Sequence, residues 1–214
     1  MTQQASSLSP YKLSAIYNAS NNFFNFFTFD TEDDPTHGFV DFVNRTEAEE
    51  LKLISYTEGN QVYIGSDYVN VIPLSSRGRK SIRLNSNLII NGNTLLIIDL
   101  DHLPSTNVSD PSLRGCSTWP AWWTCGSDWP KHGEIDIIEY INADSVVTTT
   151  LHTDGGCSQS QESNATYTGT MMTADCDVSD PYQDSNAGCG ILGPPKSVGY
   201  SFNSGGGGVY AMQW

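Results

Sequence analysis

Residues Trp129 to Ile141 read WPKHGEIDIIEYI, and this stretch decides the fold that we predict. Its acidic residues lie among β-branched apolar residues, which favour a strand over a helix. Side chains alternate between the two faces of a strand, so Glu134 and Asp136 share one face while the intervening isoleucine points the other way. The sequence therefore predicts a strand with one acidic face and one core-facing face.

Glu139 does not fit this alternation, because strict period two would place it on the buried face. An ionised carboxylate buried without a partner is too costly to expect. One extra residue at Ile137 or Ile138, forming a β-bulge, would shift the register by one. We therefore predict a bulge that returns Glu139 to the side of Glu134 and Asp136.

Three carboxyl groups on one face form a cluster in which like charges raise at least one pKa. Glycoside hydrolysis needs such a pair: one carboxyl protonates the leaving oxygen and a second attacks the anomeric carbon. An acidic cluster on a strand is also typical of a metal site or a solvated face. The carboxylates alone leave these alternatives open.

Tryptophans crowd the segment just upstream of the acidic strand. They are Trp119, Trp122, Trp123 and Trp129. Aromatic rings are the usual platforms for the apolar faces of sugars. The combination favours a carbohydrate site over a metal site.

At this point the chain strongly resembles glycoside hydrolase family 16, in its laminarinase branch of endo-1,3(4)-β-glucanases. The resemblance rests on the segments GEIDIIE (133–139), STWPAWW (117–123), SDWP (127–130) and LHT (151–153). Further similarity runs from DPTHGFVDFV near the start to the glycine-rich segment before YAMQW. The two-residue spacer Ile137-Ile138 is typical of this branch, because the lichenase and xyloglucan branches carry one residue there.

The resemblance implies a retaining endo-β-glucanase that cleaves β-1,3 or mixed β-1,3/1,4 glucans by double displacement. In that pattern Glu134 is the nucleophile and Glu139 the acid/base. Asp136 would hydrogen-bond Glu134 and help to keep it ionised, while the negative charges of both raise the pKa of Glu139.

The resemblance also implies three substrate-binding residues, Trp123, Trp129 and His152. The two tryptophans match family positions that stack on or abut sugars, and His152 matches a residue that hydrogen-bonds near the nucleophile. Each has a structural alternative. A tryptophan is highly buried on average and can be plain core, and a histidine can be structural or solvated.

Several short strands punctuated by turns, without alternating helices, indicate an all-β antiparallel sandwich. A curved jelly roll, with one sheet forming a substrate cleft, would fit an extended glucan. We expect residues 1–214 to be a single catalytic domain. Members of the resembled family continue beyond the YAMQW segment, so we expect the C-terminal strands to be missing from this chain.

The net charge of the chain limits the classes of molecule that it can bind. Lys and Arg number 10 against 24 Asp and Glu, a net charge of −14 that repels nucleic acid and anionic membranes. No apolar run approaches the roughly 18 residues of a membrane span. A neutral β-glucan is a compatible partner, and we expect a monomer with no cofactor and no metal site.

Four Asn-X-Ser/Thr patterns, at Asn18, Asn44, Asn107 and Asn164, together favour a secreted, extracellular glycoprotein. The opening MTQQASSLSP lacks the apolar core of a signal peptide, so we expect that a signal was removed or that the chain is partial. The five cysteines lack metal-site spacing and favour disulfides. They are Cys116, Cys125, Cys157, Cys176 and Cys189. The odd count leaves one without a partner in this chain.

Local patterns predict the remaining elements. The phenylalanines of residues 23–29 should be core. Asn91-Gly92 between apolar runs predicts a hairpin that joins 88–90 to 95–100. Residues 145–152 should pair beside the acidic strand, and 154–197 should form a long surface loop pinned by disulfides. The glycines at 205–208 favour a flexible connection over close backbone approach to substrate.

Two other functions fit the same sandwich. One is a non-catalytic β-glucan-binding protein, but such relatives usually lose one or both glutamates, and this chain keeps them. The other is a wall-remodelling transglycosylase, in which a sugar hydroxyl rather than water takes the glycosyl group.

Overall fold

A computed structural model describes residues 11–105, 118–159 and 167–214. The chain divides into two compact units, the first reaching to Leu95 and including Trp214, the second running from Leu96 to Gln213. Cys116, Asn107 and Asn164, which figured in the sequence predictions, lie outside the described residues.

The first unit is built from short strand pairs around a small apolar core. Its elements are β1 (Phe27–Phe29), β2 (Val40–Phe42), α1 (Arg45–Glu50), β3 (Ile54–Tyr56), β4 (Val62–Ile64), β5 (Arg79–Ser81) and β6 (Leu84–Ser86), preceded by 3₁₀ turns at Ala19–Asn21 and Phe23–Phe26. The pairs β1–β6 and β3–β4 are antiparallel, and β2–β5 is parallel. Phe24 is 2% exposed in a core with Phe23 and Phe29 packed against it, which confirms the predicted phenylalanine core in part. Phe26 and Phe27 pack instead against the ring of Tyr17.

The second unit carries the acidic strand. Its elements are β7 (Leu95–Leu100), β8 (Ala121–Cys125), β9 (Glu134–Glu139), β10 (Thr148–His152), β11 (Thr170–Met171), β12 (Cys189–Leu192), α2 (Gly199–Ser204) and β13 (Gly208–Gln213). Five strands form one antiparallel sheet in the order β11-β12-β10-β9-β8, and β7 pairs with β13.

The core of this unit lies between the five-stranded sheet and the β7–β13 pair. Ile137 and Ile138 of β9 are buried, and residues of both β7 and β13 pack against the cluster that contains them. Full burial of one such side chain stabilises the fold by about 1.5 to 3 kcal/mol. Burial of its apolar face therefore holds β9 in the sheet, and the side chains on its other face are available for catalysis. Over the residues that the structure describes, the fold is all-β, as predicted, with two short α-helices.

The predicted hairpin at Asn91-Gly92 is wrong. Residues 88–90 form no strand, and β7 pairs instead with β13. The turn chemistry was correct, since Asn93 adopts a left-handed φ of 64°, a conformation that asparagine tolerates in turns. Leu88 and Ile89 are 47% and 82% exposed, so burial of these side chains does not stabilise a strand at this position.

The predicted long loop at 154–197 is only partly a loop. It contains β11 and β12, and β12 pairs with β10 beside the acidic strand. A disulfide joins the buried residues Cys176 and Cys189, which confirms the expectation of a disulfide in this region. Cys157 is exposed and forms no disulfide with another described residue.

The glycines at 205–208 join α2 to β13, and one of them has a steric role. Gly207 has φ +83°, and a Cβ there would lie 2.0 Å from the carbonyl oxygen of Leu100. The close backbone approach is therefore to β7 of the same chain.

Candidate active site

A β-bulge interrupts β9 at Ile137. Against β8, Trp122 pairs with Ile138 and Trp123 with Asp136, so Ile137 is the extra residue. The register against β10 shifts over the same stretch. The Thr149 hydroxyl donates a 3.2 Å hydrogen bond to the Ile137 carbonyl, which satisfies a backbone group that the bulge takes out of the regular ladder. The predicted bulge is confirmed.

The bulge separates acids from isoleucines along β9. Ile135, Ile137 and Ile138 all belong to, or pack on, the apolar core. The carboxyl groups meet on the other side, where Asp136 hydrogen-bonds the side chain of Glu134 and its charge reaches Glu139. Glu134, Asp136 and Glu139 therefore form one cluster, as the sequence predicted.

His152 completes this cluster from the neighbouring strand. It ends β10 directly opposite Glu134, and its Nε2 lies 3.1 Å from Oδ2 of Asp136. Its Nδ1 is buried and has no hydrogen-bond partner among the described residues. In the neutral ring with its proton on Nε2, Nδ1 carries no hydrogen, whereas the charged ring would place an N–H at Nδ1 without an acceptor among the described residues. Burial opposes the charged ring, but the Asp136 hydrogen bond and the nearby carboxylates raise the pKa of His152 overall.

A glycine lets the chain close over His152. Gly188 has φ +60°, and a Cβ there would lie 2.8 Å from Nδ1 of His152 and 2.4 Å from the Leu151 carbonyl oxygen. The next residue, Cys189, forms the disulfide with Cys176. The segment that covers His152 is thus covalently pinned.

The environment of Glu134 strongly favours the protonated form of its carboxyl group. Burial and the charge of Asp136 raise its pKa from about 4.5 to about 7, whereas His152 and a hydrogen bond from Trp129 lower it. A hydrogen bond between two carboxyl groups requires a proton between them, which also favours a protonated Glu134. The charge and hydrogen bond of Asp136 thus raise the pKa of Glu134, opposite to the direction expected from the sequence, while His152 and Trp129 lower it.

This shift has a consequence for stability. A carboxyl whose pKa is higher in the folded state stabilises the fold fully below about pH 4.5, and the contribution is lost as pH rises through about 7. We expect Glu134→Gln to unfold like the wild type at pH 4.5 but to be more stable by about 1 to 3 kcal/mol at pH 8, after allowance for solvent screening. Urea unfolding at the two pH values measures this.

The matched control is Glu58→Gln, which changes an exposed glutamate of the first unit. This control should leave the change in unfolding free energy between about pH 4.5 and about pH 8 as it is in the wild type. A Glu134→Gln variant that loses stability relative to the wild type at pH 8 would contradict the raised pKa of Glu134.

Glu139 lies at the other end of β9 and is half-buried. Burial and the charge of Asp136 raise its pKa, while a hydrogen bond from Trp119 and the charge of His152 lower it. The indole Nε1 of Trp119 donates to Oε1 of Glu139 over 2.6 Å. The raised pKa favours the protonated form of Glu139, which is the form that a general acid requires.

The four tryptophans separate into distinct roles. Trp122 packs against the core. Trp123 is half-buried and pairs in register with Asp136, so it neighbours the acidic cluster. Trp129 and Trp119 are 43% and 58% exposed, and each donates its indole N–H to one glutamate. Trp129 is therefore exposed beside Glu134, as a sugar platform would have to be.

Sequence reasoning placed Trp119 near the site but gave it no role. The available signal was its position two residues before β8, whose first residue, Ala121, pairs with Glu139. That register places Trp119 at the Glu139 end of the cluster. This pairing depends on the bulge in β9. The sequence left open whether Ile137 or Ile138 was the extra residue, so the register of β8 against β9 was not fixed in advance.

The structure describes residues 11–105, 118–159 and 167–214. No group of three or more His, Cys, Asp or Glu side chains there is arranged to hold a metal ion. None of the helices in those ranges has the length and apolar character needed to cross a membrane.

Solved structures resemble this chain closely. One is described as an elongating GH family 16 β-1,3-glucosyltransferase, with 42% identity, a TM-score of 0.77, and coverage of 91% of this chain and 60% of that one. Another is laminarinase 16A from Phanerochaete chrysosporium with β-glucans in both donor and acceptor sites, with 35% identity, a TM-score of 0.77, and coverage of 90% and 60%. The chain shares the antiparallel β-sandwich, or jelly-roll, fold of this group.

Two proteins named as endo-1,3(4)-beta-glucanases are also similar to this chain in sequence. Endo-1,3(4)-beta-glucanase xgeA of Emericella nidulans is 37% identical over 210 residues, which is 98% of this chain and 31% of that protein. An endo-1,3(4)-beta-glucanase of Arthroderma benhamiae is 37% identical over 196 residues, 91% of this chain and 40% of that protein. The chain thus spans about a third of these relatives and 60% of the solved chains.

A family model described as the XgeA-like, catalytic GH16 domain matches residues 27–214, a range that holds every member of the acidic cluster. The chain therefore belongs to glycoside hydrolase family 16, among its XgeA-like catalytic domains.

Proposed function

We propose that this chain carries the active site of a retaining endo-β-glucanase that hydrolyses β-1,3 or mixed β-1,3/1,4 glucans. The observation that carries the proposal is the bulged strand, which gathers two glutamates with raised pKa values on one face around the Asp136–His152 pair. The names of the curated relatives, endo-1,3(4)-beta-glucanases, support the substrate class.

Glu134 is the nucleophile and Glu139 the acid/base in this proposal. In the first step Glu139 gives its proton to the glycosidic oxygen, the bond from that oxygen to the anomeric carbon breaks, and Glu134 bonds to the carbon. In the second step water attacks the same carbon, its proton goes to Glu139, and Glu134 is released. The two inversions retain the configuration.

Asp136 and His152 set the ionisation of the nucleophile. Glu134 attacks only as a carboxylate, yet its pKa is raised to about 7. A proton placed on His152 instead of on Glu134 is held by Asp136, and the positive ring lowers the pKa of Glu134. The cluster therefore works best when its protons lie on His152 and Glu139.

Trp123, Trp129 and His152 complete the proposed substrate site. The exposed ring of Trp129 lies beside Glu134, and Trp123 neighbours Asp136, so both flank the reacting groups. His152 is 8% exposed, so we assign it to orienting Asp136 as well as to binding.

We also propose that the chain is a single catalytic domain of a secreted, glycosylated monomer. A single catalytic domain is supported by the family match, which runs through both compact units. Secretion and glycosylation are supported by the acceptor patterns; at Asn18 and Asn44 the structure uses the side-chain oxygen as a helix cap, which leaves the amide nitrogen for a glycan. A monomer acting on β-glucan, without nucleic acid, membrane or cofactor, fits the net charge of −14.

One observation favours a second function, transfer to another sugar. The structure with 42% identity is described as an elongating glucosyltransferase, and the same covalent intermediate serves either reaction. What differs is whether water or a sugar hydroxyl attacks.

The test is to incubate the protein with laminarin and with lichenan, and to measure reducing ends together with product lengths by mass spectrometry. Hydrolysis predicts a rise in reducing ends and only shortened chains. Lengthened products without a matching rise in reducing ends would replace the proposal by the transferase. Binding without any change in the glucan would replace it by a non-catalytic binding protein.

A further inference from the structure

Trp119 makes a contact that neither packing nor sugar stacking requires. Its side chain is largely exposed, so water could satisfy the indole N–H at no cost. Instead Nε1 lies 2.6 Å from Oε1 of Glu139, slightly shorter than the roughly 2.7 to 2.9 Å usual for charge-assisted N–H···O hydrogen bonds. An N–H that is aimed at one carboxyl oxygen distinguishes that oxygen from the other.

We propose that Trp119 is a positioning residue for the acid/base, whose indole N–H holds Oε1 of Glu139 so that Oε2 is the oxygen that exchanges protons with substrate and water. This rests on the proposed function. An indole N–H is a donor only, so a proton on Oε1 would face another proton. The proton of the acid form is therefore placed on Oε2.

The reaction steps follow with one oxygen throughout. In the first step the Oε2–H bond breaks, a new O–H bond forms on the glycosidic oxygen, and the leaving sugar departs as an alcohol. In the second step Oε2 takes a proton from the attacking water. Between these steps Glu139 is a carboxylate, and the Trp119 hydrogen bond is then charge-assisted and strongest.

The other groups that face Glu139 act in both directions. Asp136, on the same strand, raises the pKa of Glu139, and His152, on β10, lowers it, while Glu134 acts on His152. Trp119 adds a donor that stabilises the carboxylate without adding charge. Because it opposes burial and Asp136, Trp119 keeps Glu139 able to release its proton as well as to hold it.

Trp119→Phe removes the donor and keeps an aromatic ring. We expect the basic limb of the kcat/KM pH profile on laminarin to move upward by about 0.5 to 1 pH unit, because a lost hydrogen bond to a partly exposed carboxylate raises its pKa by that order. The value of kcat should fall about 10-fold while the Kd for laminari-oligosaccharides changes less than 3-fold.

A sharper variant isolates the N–H itself. An amino acid whose benzothiophene ring carries sulfur in place of the indole N–H, incorporated at position 119, keeps the size and face of tryptophan. It should shift the basic limb as Trp119→Phe does. The matched control, Trp214→Phe, changes a tryptophan of similar exposure, 52%, in the first unit and should leave the limb in place.

A second readout does not depend on turnover. The carboxyl carbon of Glu139, followed by NMR in protein labelled with 13C at glutamate and assigned by its absence in Glu139→Gln, should titrate at higher pH in Trp119→Phe than in the wild type. An unchanged titration, or a change confined to Kd as a sugar platform would give, overturns the proposal. A protein that hydrolyses no glucan defeats the proposed function instead, and the titration still decides the role of Trp119.

Discussion

Glu134→Gln should lower kcat on laminarin by about 10⁴-fold or more, because an amide oxygen cannot form the glycosyl-enzyme bond on which both steps depend. Glutamine has nearly the shape of a protonated glutamate, which is the form that the raised pKa of Glu134 favours below about pH 7. The cluster should therefore keep its packing, and laminari-oligosaccharides should bind with little change in Kd. Initial rates and titration calorimetry on the same preparation measure the two quantities.

The exposed glutamate Glu58 supplies the matched control, since Glu58→Gln makes the same chemical change in the first unit. It should leave kcat within 2-fold of the wild type. Hydrolysis by Glu134→Gln at more than one tenth of the wild-type rate would remove Glu134 from the role of nucleophile.

Glu139→Gln should lower kcat on laminarin by about 10² to 10⁴-fold, the range that a general acid/base contributes. The loss should depend on the leaving group. A laminaribioside with a dinitrophenyl group leaves without a proton, so its first step should survive, and added azide should restore turnover because azide attacks without a general base. Release of dinitrophenol with and without azide measures both effects.

The product distinguishes this role from a structural one. Azide should yield a β-glycosyl azide with Glu139→Gln and none with Glu134→Gln, because only the former variant still forms the covalent intermediate. Equal loss on laminarin and on the dinitrophenyl substrate, with no effect of azide, would show that Glu139 is not the acid/base.

The central strand was predictable because burial and charge both act on it. Ile135 and its neighbours had to face the core, and Glu139 could not be buried alone, so a bulge near Ile137 was the remaining solution. The strand at 148–152 was predictable for a similar reason, since its β-branched residues needed a partner. These features depend on local alternation and on one energetic exclusion.

Other features depend on contacts between distant parts of the chain, which alternation does not encode. The Asn91-Gly92 turn was recognised, but the strand that pairs with β7 comes from residues 208–213. The sequence likewise did not show that the hydrogen bond with Asp136 would raise the pKa of Glu134, because that sign depends on which of the two carboxyl groups holds the proton. The Trp119 hydrogen bond depends on the register of β8 against a bulged strand.

The proposed mechanism requires that the bulge in β9 bring Glu134 and Glu139 close enough for one to attack while the other gives a proton. In retaining glycosidases such carboxyls are about 5 to 5.5 Å apart, whereas inverting enzymes need about 6.5 to 9.5 Å to admit water between them. Proton NMR of the first sugar released from a laminari-oligosaccharide, recorded before mutarotation, reports this difference directly. We expect the β-anomer as the first product, and an α-anomer would show that Glu134 and Glu139 do not act by double displacement.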